Sequence, residues 1–162
     1  MSLPWNPANH HVRPRLPRLN VTMESRIESA DLAESMIVEF ASRSGCGERE
    51  CEEIGLAVRE SVVNAVLHGN RCDLSKKVVL TAELDEDGLL ISVKDEGEGF
   101  DPDSLPDPLI SDNLLHETGR GFFILKTCMD DVAVRRAPSH GTVLTMVKRL
   151  VKDQMLPRRF LK

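Results

Sequence analysis

Four short stretches of this sequence carry residue types that could do chemistry. On one predicted helix, Glu60 and Asn64 stand four residues apart, a spacing that aims both side chains the same way. Such a pair can divide labour: the amide oxygen of Asn64 can bind a hard cation while Glu60 takes a proton. The same two residues could equally brace a core, since buried polar groups are normally satisfied by neighbours.

The second stretch is Asp95-Glu96-Gly97-Glu98-Gly99-Phe100, directly after a predicted strand. Leu89, Ile91 and Val93 face the core along that strand, so period two turns Asp95 inward at its end. An inward carboxylate beside bare glycine backbone could hold a flat ring and accept its exocyclic amine; a plain turn uses the same residues. The third stretch is Thr118-Gly119-Arg120-Gly121-Phe122-Phe123, where a loop passes into a helix. Backbone N–H groups converge on an anion at such a helix start, and Arg120 could add a positive charge for a terminal phosphate. An ordinary flexible connection would also favour these glycines. The fourth is Gly141-Thr142 at the start of the last strand, where the Thr142 hydroxyl could share the ligand of Asp95 through water. Neither GxxxxGK[ST] nor a Rossmann GxGxxG after a first strand occurs.

These stretches must be held by elements legible in the periodicity. Residues 18–24 alternate as an edge strand, and Ser25 or Ser29 can cap a helix running to about Ser44, where Gly45 stops it. A second helix runs from near Gly47 to about Gly69. Its stripe of Ile54, Val58, Val62, Ala65 and Val66 faces a core, and Leu56, Val63 and Leu67 line a second apolar face to be covered as well. Val78–Leu84 and Leu89–Asp95 form a hairpin around Asp87-Gly88, and a polar loop, Glu96 to Thr118, follows it. Gly119 to about Met129 reads as a third helix, then Val132–Arg136 and Thr142–Leu150 as strands. The order βαα, ββ, loop, α, ββ predicts an α/β two-layer sandwich, a mixed, mostly antiparallel sheet covered on one face by three helices.

One domain, residues 18–150, accounts for most of the 162 residues. Residues 1–17 hold four of the nine prolines and read as a flexible arm; residues 151–162 read as a basic tail. With 41% apolar and 29% charged residues, no apolar run near the length of a membrane span and no signal peptide, a soluble cytoplasmic protein is expected. The net charge of −5 argues against nucleic acid as partner. Cys46, Cys51, Cys72 and Cys128 form no CxxC pair, so reduced cysteines are expected. His68 and Cys72 would stand one turn apart, a zinc half-site without a second half, if the second helix ran on.

Taken in order, ExxxNxxxH on a helix, DxGxG after a hairpin, GxG at a loop–helix junction and GT before a strand resemble the GHKL (Bergerat-fold) ATPase superfamily over about residues 48–150. Within it the chain looks most like the bacterial anti-sigma-factor serine/threonine kinases. The stretch from Leu105-Pro106-Asp107-Pro108 to Gly119-Arg120-Gly121-Phe122, and then Met129-Asp130-Asp131-Val132, is similar to their lid and following helix. The resemblance implies ATP and Mg²⁺ as cofactors, with Asn64 on the metal and Glu60 as the catalytic proton acceptor. It implies Asp95 on adenine N6, Gly97 and Gly99 against the adenine, Gly119, Arg120 and Gly121 over the phosphates, and His68 and Thr142 in the same site. It implies protein partners, namely an antagonist with a phosphorylatable serine and a sigma factor, and a homodimer. It implies a lid, Gly97 to Thr118, mobile without nucleotide and ordered with it. A catalytically idle ATP-binding switch is the alternative. A sensor histidine kinase is not expected, because the residues before the second helix leave no room for a helical dimerisation segment.

Overall fold

The computed structural model describes residues 17–99 and 119–150. The expected arm up to residue 16, the part of the expected lid at 100–118 and the tail from 151 onward lie outside the described residues. The elements run β1 (Arg18–Glu24), α1 (Ser29–Arg43), α2 (Glu48–Asn64), a π-turn (Ala65–Gly69), β2 (Lys77–Leu84), β3 (Gly88–Lys94), α3 (Gly119–Cys128), β4 (Asp131–Arg136) and β5 (Thr142–Arg149). The sheet order is β1-β2-β3-β5-β4, and all four pairings are antiparallel. The expected sandwich of five strands and three helices is therefore present, with no parallel pair among the described residues.

Register follows from the period-two pattern, because a slip of one residue would turn every side chain to the wrong face. Leu19, Ala82, Ile91, Met146 and Val132 stand in one row across the five strands, and Val21, Leu80, Val93, Leu144 and Val134 in the next. Both rows face the helices. The intervening row, Asn20, Thr81, Ser92, Thr145 and Ala133, faces the other way, and the Thr81 and Ser92 hydroxyls hydrogen-bond at 2.7 Å. From the helical layer, Ile37, Ile54, Val58 and Val62 are fully buried against that surface. Each such side chain contributes roughly 1.5–3 kcal/mol by leaving water.

The first helix lies close on the second because its inner face is small, with Ala30, Ala33 and Ala41 around Ile37. A Cβ at Gly55 of α2 would come within 2.8 Å of Val38 Cγ2, so that crossing requires glycine. Arg59 of α2 reaches across to Asp31 and Glu34 of α1. On the other flank Lys148 of β5 donates to Glu53 of α2 (2.6 Å) and to the carbonyl of Cys128 at the end of α3 (2.7 Å). One ammonium thus ties three elements.

Several local expectations are corrected. Neither Ser25 nor Ser29 caps α1: Glu28 is the N-cap residue, and the Ser29 hydroxyl donates back to the Glu24 carbonyl at 2.7 Å. Ser25 is fully buried, and its hydroxyl has no partner among the described residues. Gly45 does end α1, at φ 99°, with the Cys46 N–H returning to the Ala41 carbonyl. The β2–β3 turn is organised by Asp85, whose carboxylate accepts the N–H groups of Asp87 (2.8 Å) and Gly88 (2.9 Å). Pro17, assigned to the arm, already accepts a hydrogen bond from the Leu84 N–H. The described residues cover the second face of α2 only in part: Val63 packs against the core, while Leu56 and, just past the helix, Leu67 are each 40% exposed. No described helix is long and apolar enough to cross a membrane.

Two consequences are measurable. A buried hydroxyl without a partner carries its desolvation cost, so Ser25→Ala is expected to raise unfolding stability by about 1 kcal/mol in denaturant titration. The hydrogen bond from Lys148 holds the Glu53 carboxyl below its ordinary value, against an opposing effect of burial. A depressed carboxyl gives stability that is complete above the unfolded value, about 4.3, and drains as pH falls through the folded one. Lys148→Met should cost about 2 kcal/mol near neutrality, the worth of a hydrogen bond between charged groups, and the loss should shrink in unfolding series carried down toward pH 3.

Candidate functional site

The chemistry-bearing stretches converge at one end of the sheet, where β3 ends and β5 begins. Asp95 is the first residue past β3, the central strand, and its N–H still donates to the Thr142 carbonyl (3.0 Å), continuing the ladder. Alternation turns its side chain under the helices, where it is 5% exposed. One carboxylate oxygen, Oδ1, accepts the N–H groups of Gly97 (2.9 Å) and Thr142 (3.1 Å). Among the described residues no hydrogen bond reaches Oδ2, which lies against Gly69. The inward Asp95 expected from the strand pattern is thus present, and Thr142 meets it through its backbone N–H.

Three glycines make that burial geometrically possible. A Cβ on Gly69 would overlap the Asp95 carboxylate, one on Gly97 would overlap the Gly69 carbonyl, and one on Gly141 would overlap the Asp95 carbonyl. Gly141 also sits at φ 90°, a conformation that only glycine adopts without strain. The missing side chain of Gly97 is thus required by the helix end. Gly99, at φ 83°, faces the Gly141 carbonyl and the Arg136 side chain. Such a cradle of bare backbone around a carboxylate suits a flat ring that carries an amine.

The second cluster lies along α2. Glu60 and Asn64 are half-buried, between the core and the exposed outer face of that helix. Gly121, in the first turn of α3, stands against both: a Cβ there would lie 3.2 Å from Asn64 Nδ2 and 3.4 Å from Glu60 Oε2. The first turn of a helix offers N–H groups without intrahelical partners and the positive end of the dipole. Gly119 opens that turn and Arg120 extends from it into solvent. A carboxylate, an amide and a helix start are thereby brought to one place, a donor set suited to phosphate and a hard cation.

His68 shares the helix but is exposed, because α2 leaves α-helical geometry at Ala65. The π-turn closes with the Asn70 N–H bonded five residues back, to the Ala65 carbonyl (2.7 Å). Arg71 and Cys72 then adopt left-handed backbone, φ 54° and 59°. The helix therefore does not run on, and His68 and Cys72 do not form the helical pair the spacing suggested. Among the described residues no group of three potential ligands could hold a metal ion. Burial pushes the Cys46 thiol up to about 12 and raises those of Cys51 and Cys128 as well, which leaves them poor nucleophiles. Sequence reasoning gave no individual role to Gly69, Asn70 or Glu96: Gly69 lies against the Asp95 carboxylate, and the Asn70 side chain accepts the Glu96 N–H. The one available signal was Gly69, read only as the approximate end of the second helix.

The matching family model is that of the histidine kinase-like ATPase domain, over residues 23–148. The anti-sigma F factor of Clostridium perfringens (strain SM101 / Type A) is 30% identical over 135 residues, 82% of this chain and 96% of that protein. The anti-sigma F factor of Oceanobacillus iheyensis is 31% identical over 138 residues, 84% of this chain and 94% of that protein. A solved structure of the RsbU and RsbW domains of Rv1364c from Mycobacterium tuberculosis superposes with a TM-score of 0.62 at 22% identity. That likeness, one of fold, takes in 83% of this chain and 32% of the larger one. With the model spanning most of the chain, and these relatives matched over nearly their whole length, the protein belongs to the histidine kinase-like ATPase domain family, in the company of the anti-sigma F factors.

Proposed function

We propose that this protein is a Mg²⁺-dependent serine/threonine protein kinase of the anti-sigma-factor type. Membership of an ATPase-domain family implies ATP binding; the transfer to protein is the finer step. The observation that carries the reading is Asp95, a nearly fully buried carboxylate with Oδ1 held by two backbone N–H groups and three bare glycine backbones packed around it. A carboxylate so held is suited to accept the exocyclic amine of adenine.

In this reading the phosphates extend toward the start of α3, where Gly119, Arg120 and Gly121 lie next to Glu60 and Asn64. Asn64 would hold Mg²⁺ through its amide oxygen, and the ion would neutralise charge on the phosphates. Glu60 takes the proton of a serine hydroxyl as its oxygen bonds to the γ-phosphorus and the bond to the ADP oxygen breaks. Phosphoryl transfer is largely positioning and charge neutralisation, so few groups suffice. His68 and Thr142 border the same site. From the name of its relatives we extend to this chain a sigma factor as partner; an antagonist protein as the source of the serine, a second copy of the chain, and a cytoplasmic location without membrane or nucleic acid are carried over from the family resemblance and the composition.

Titration calorimetry with Mg–ATP tests the pocket. Asp95→Asn is expected to weaken binding by about tenfold to a hundredfold, the worth of a hydrogen bond to a charged group. Glu60→Ala should bind ATP nearly as wild type while transfer of labelled γ-phosphate to the antagonist's serine drops by about 10²–10⁴. Wild-type protein that binds no nucleotide with Mg²⁺ present sinks the reading. Binding without any transfer by wild type would instead identify the idle switch.

A further inference from the structure

Asn70 is a fully buried polar residue that neither the phosphate cluster nor the adenine cradle accounts for. Its side chain uses both ends. Oδ1 accepts the Glu96 N–H at 2.8 Å, and Nδ2 donates to the Lys77 carbonyl at 3.0 Å. The ring is closed by the Glu96 carboxylate, which accepts the Lys77 N–H at 2.6 Å. Three chain ends meet there: the π-turn after α2, the start of β2, and the residue that follows Asp95.

The neighbours of Asn70 touch the cradle as well. Gly69, one residue before it, lies against both the Asp95 carboxylate and Gly97. Arg71 and Cys72, directly after it, are held in left-handed backbone, which is costly for residues with a Cβ and persists only where surrounding contacts enforce it. The backbone N–H of Asn70 is itself the donor that closes the π-turn. Bonds from a single residue therefore fix how far the helix carrying Glu60 and Asn64 stands from the strand end carrying Asp95.

We infer that Asn70 is a positioning residue for nucleotide recognition, acting through Glu96 and Gly69 to hold Asp95 where it reads the exocyclic amine of a purine. The inference rests on the ATP reading above. Its distinctive consequence concerns selectivity: losing Asn70 blurs the choice between a purine nucleotide that carries the 6-amino group and one that does not. A residue that merely stabilised the fold would lower affinity for both alike.

The test uses full-length protein with two readouts. In ligand-free protein, amide exchange followed by NMR should speed up about tenfold or more at Glu96, Gly97 and Thr142 in Asn70→Ala, while amides in the middle of β2 and β3 keep their rates. In calorimetry with Mg²⁺, ATP affinity should fall about tenfold while ITP affinity changes little, so that discrimination between the two collapses. Should Asn70→Ala fail to fold, Glu96→Ala cuts the same ring at a half-buried residue and is expected to move both readouts in the same direction. Unchanged exchange at those three amides, or an equal loss for ATP and ITP, overturns the inference while leaving the ATP reading intact. Wild-type protein that binds neither nucleotide overturns both.

Discussion

A carboxylate removed from water must find donors nearby, and meeting that requirement at Asp95 organises this end of the molecule. Desolvating such a group costs several kcal/mol, offset here by the N–H groups of Gly97 and Thr142. Those donors come from the turn after β3 and from the start of β5, so the carboxylate stitches two strands beyond their last pairing. The approach is possible only because Gly69, Gly97 and Gly141 have no side chains where the backbones meet. A site that must recognise something polar thus begins as a solution to a burial problem.

The opposite end of the helical layer is held in another way. Lys148 lies mostly out of water and satisfies Glu53 and the Cys128 carbonyl at the end of α3 together. Since α3 carries Gly121 against Asn64 at its other end, this ion pair anchors the helix whose start completes the phosphate-facing cluster. Cys128, at the foot of that helix, sits in the same corner with its thiol raised chiefly by burial.

Much of this was legible in the sequence because each signal had a physical period. Alternation through Leu89, Ile91 and Val93 requires an inward Asp95, and the four-residue spacing of Glu60 and Asn64 requires a shared direction. What escaped was geometry without a period. Glycine pairs announce turns, but nothing in Gly69 or Gly141 says which distant backbone will press against it. The π-turn was hidden because a helix that gains one residue in a turn keeps its composition. The second apolar face of α2 misled for a different reason: Leu56 and Leu67 look like core residues, yet among the described residues three helices form a single layer on the sheet and both side chains stay 40% exposed. The Ser25 and Ser29 caps failed because either serine suits an N-cap by type, while the chain turns at Glu28.

The π-turn also bears on how this chain can change over generations. A helical turn that closes five residues back counts residues: between Asn64, beside α3, and Asn70, beside β2, there is one fixed length of chain. Substitutions at its exposed positions, Leu67 and His68, can be absorbed locally, as long as position 69 stays bare. Removing a single residue cannot, because an α-helical turn would then rotate everything after it by about 100° and separate the two clusters. Point changes and length changes are therefore unequal here, and the segment behaves as a ruler whose graduations are peptide units.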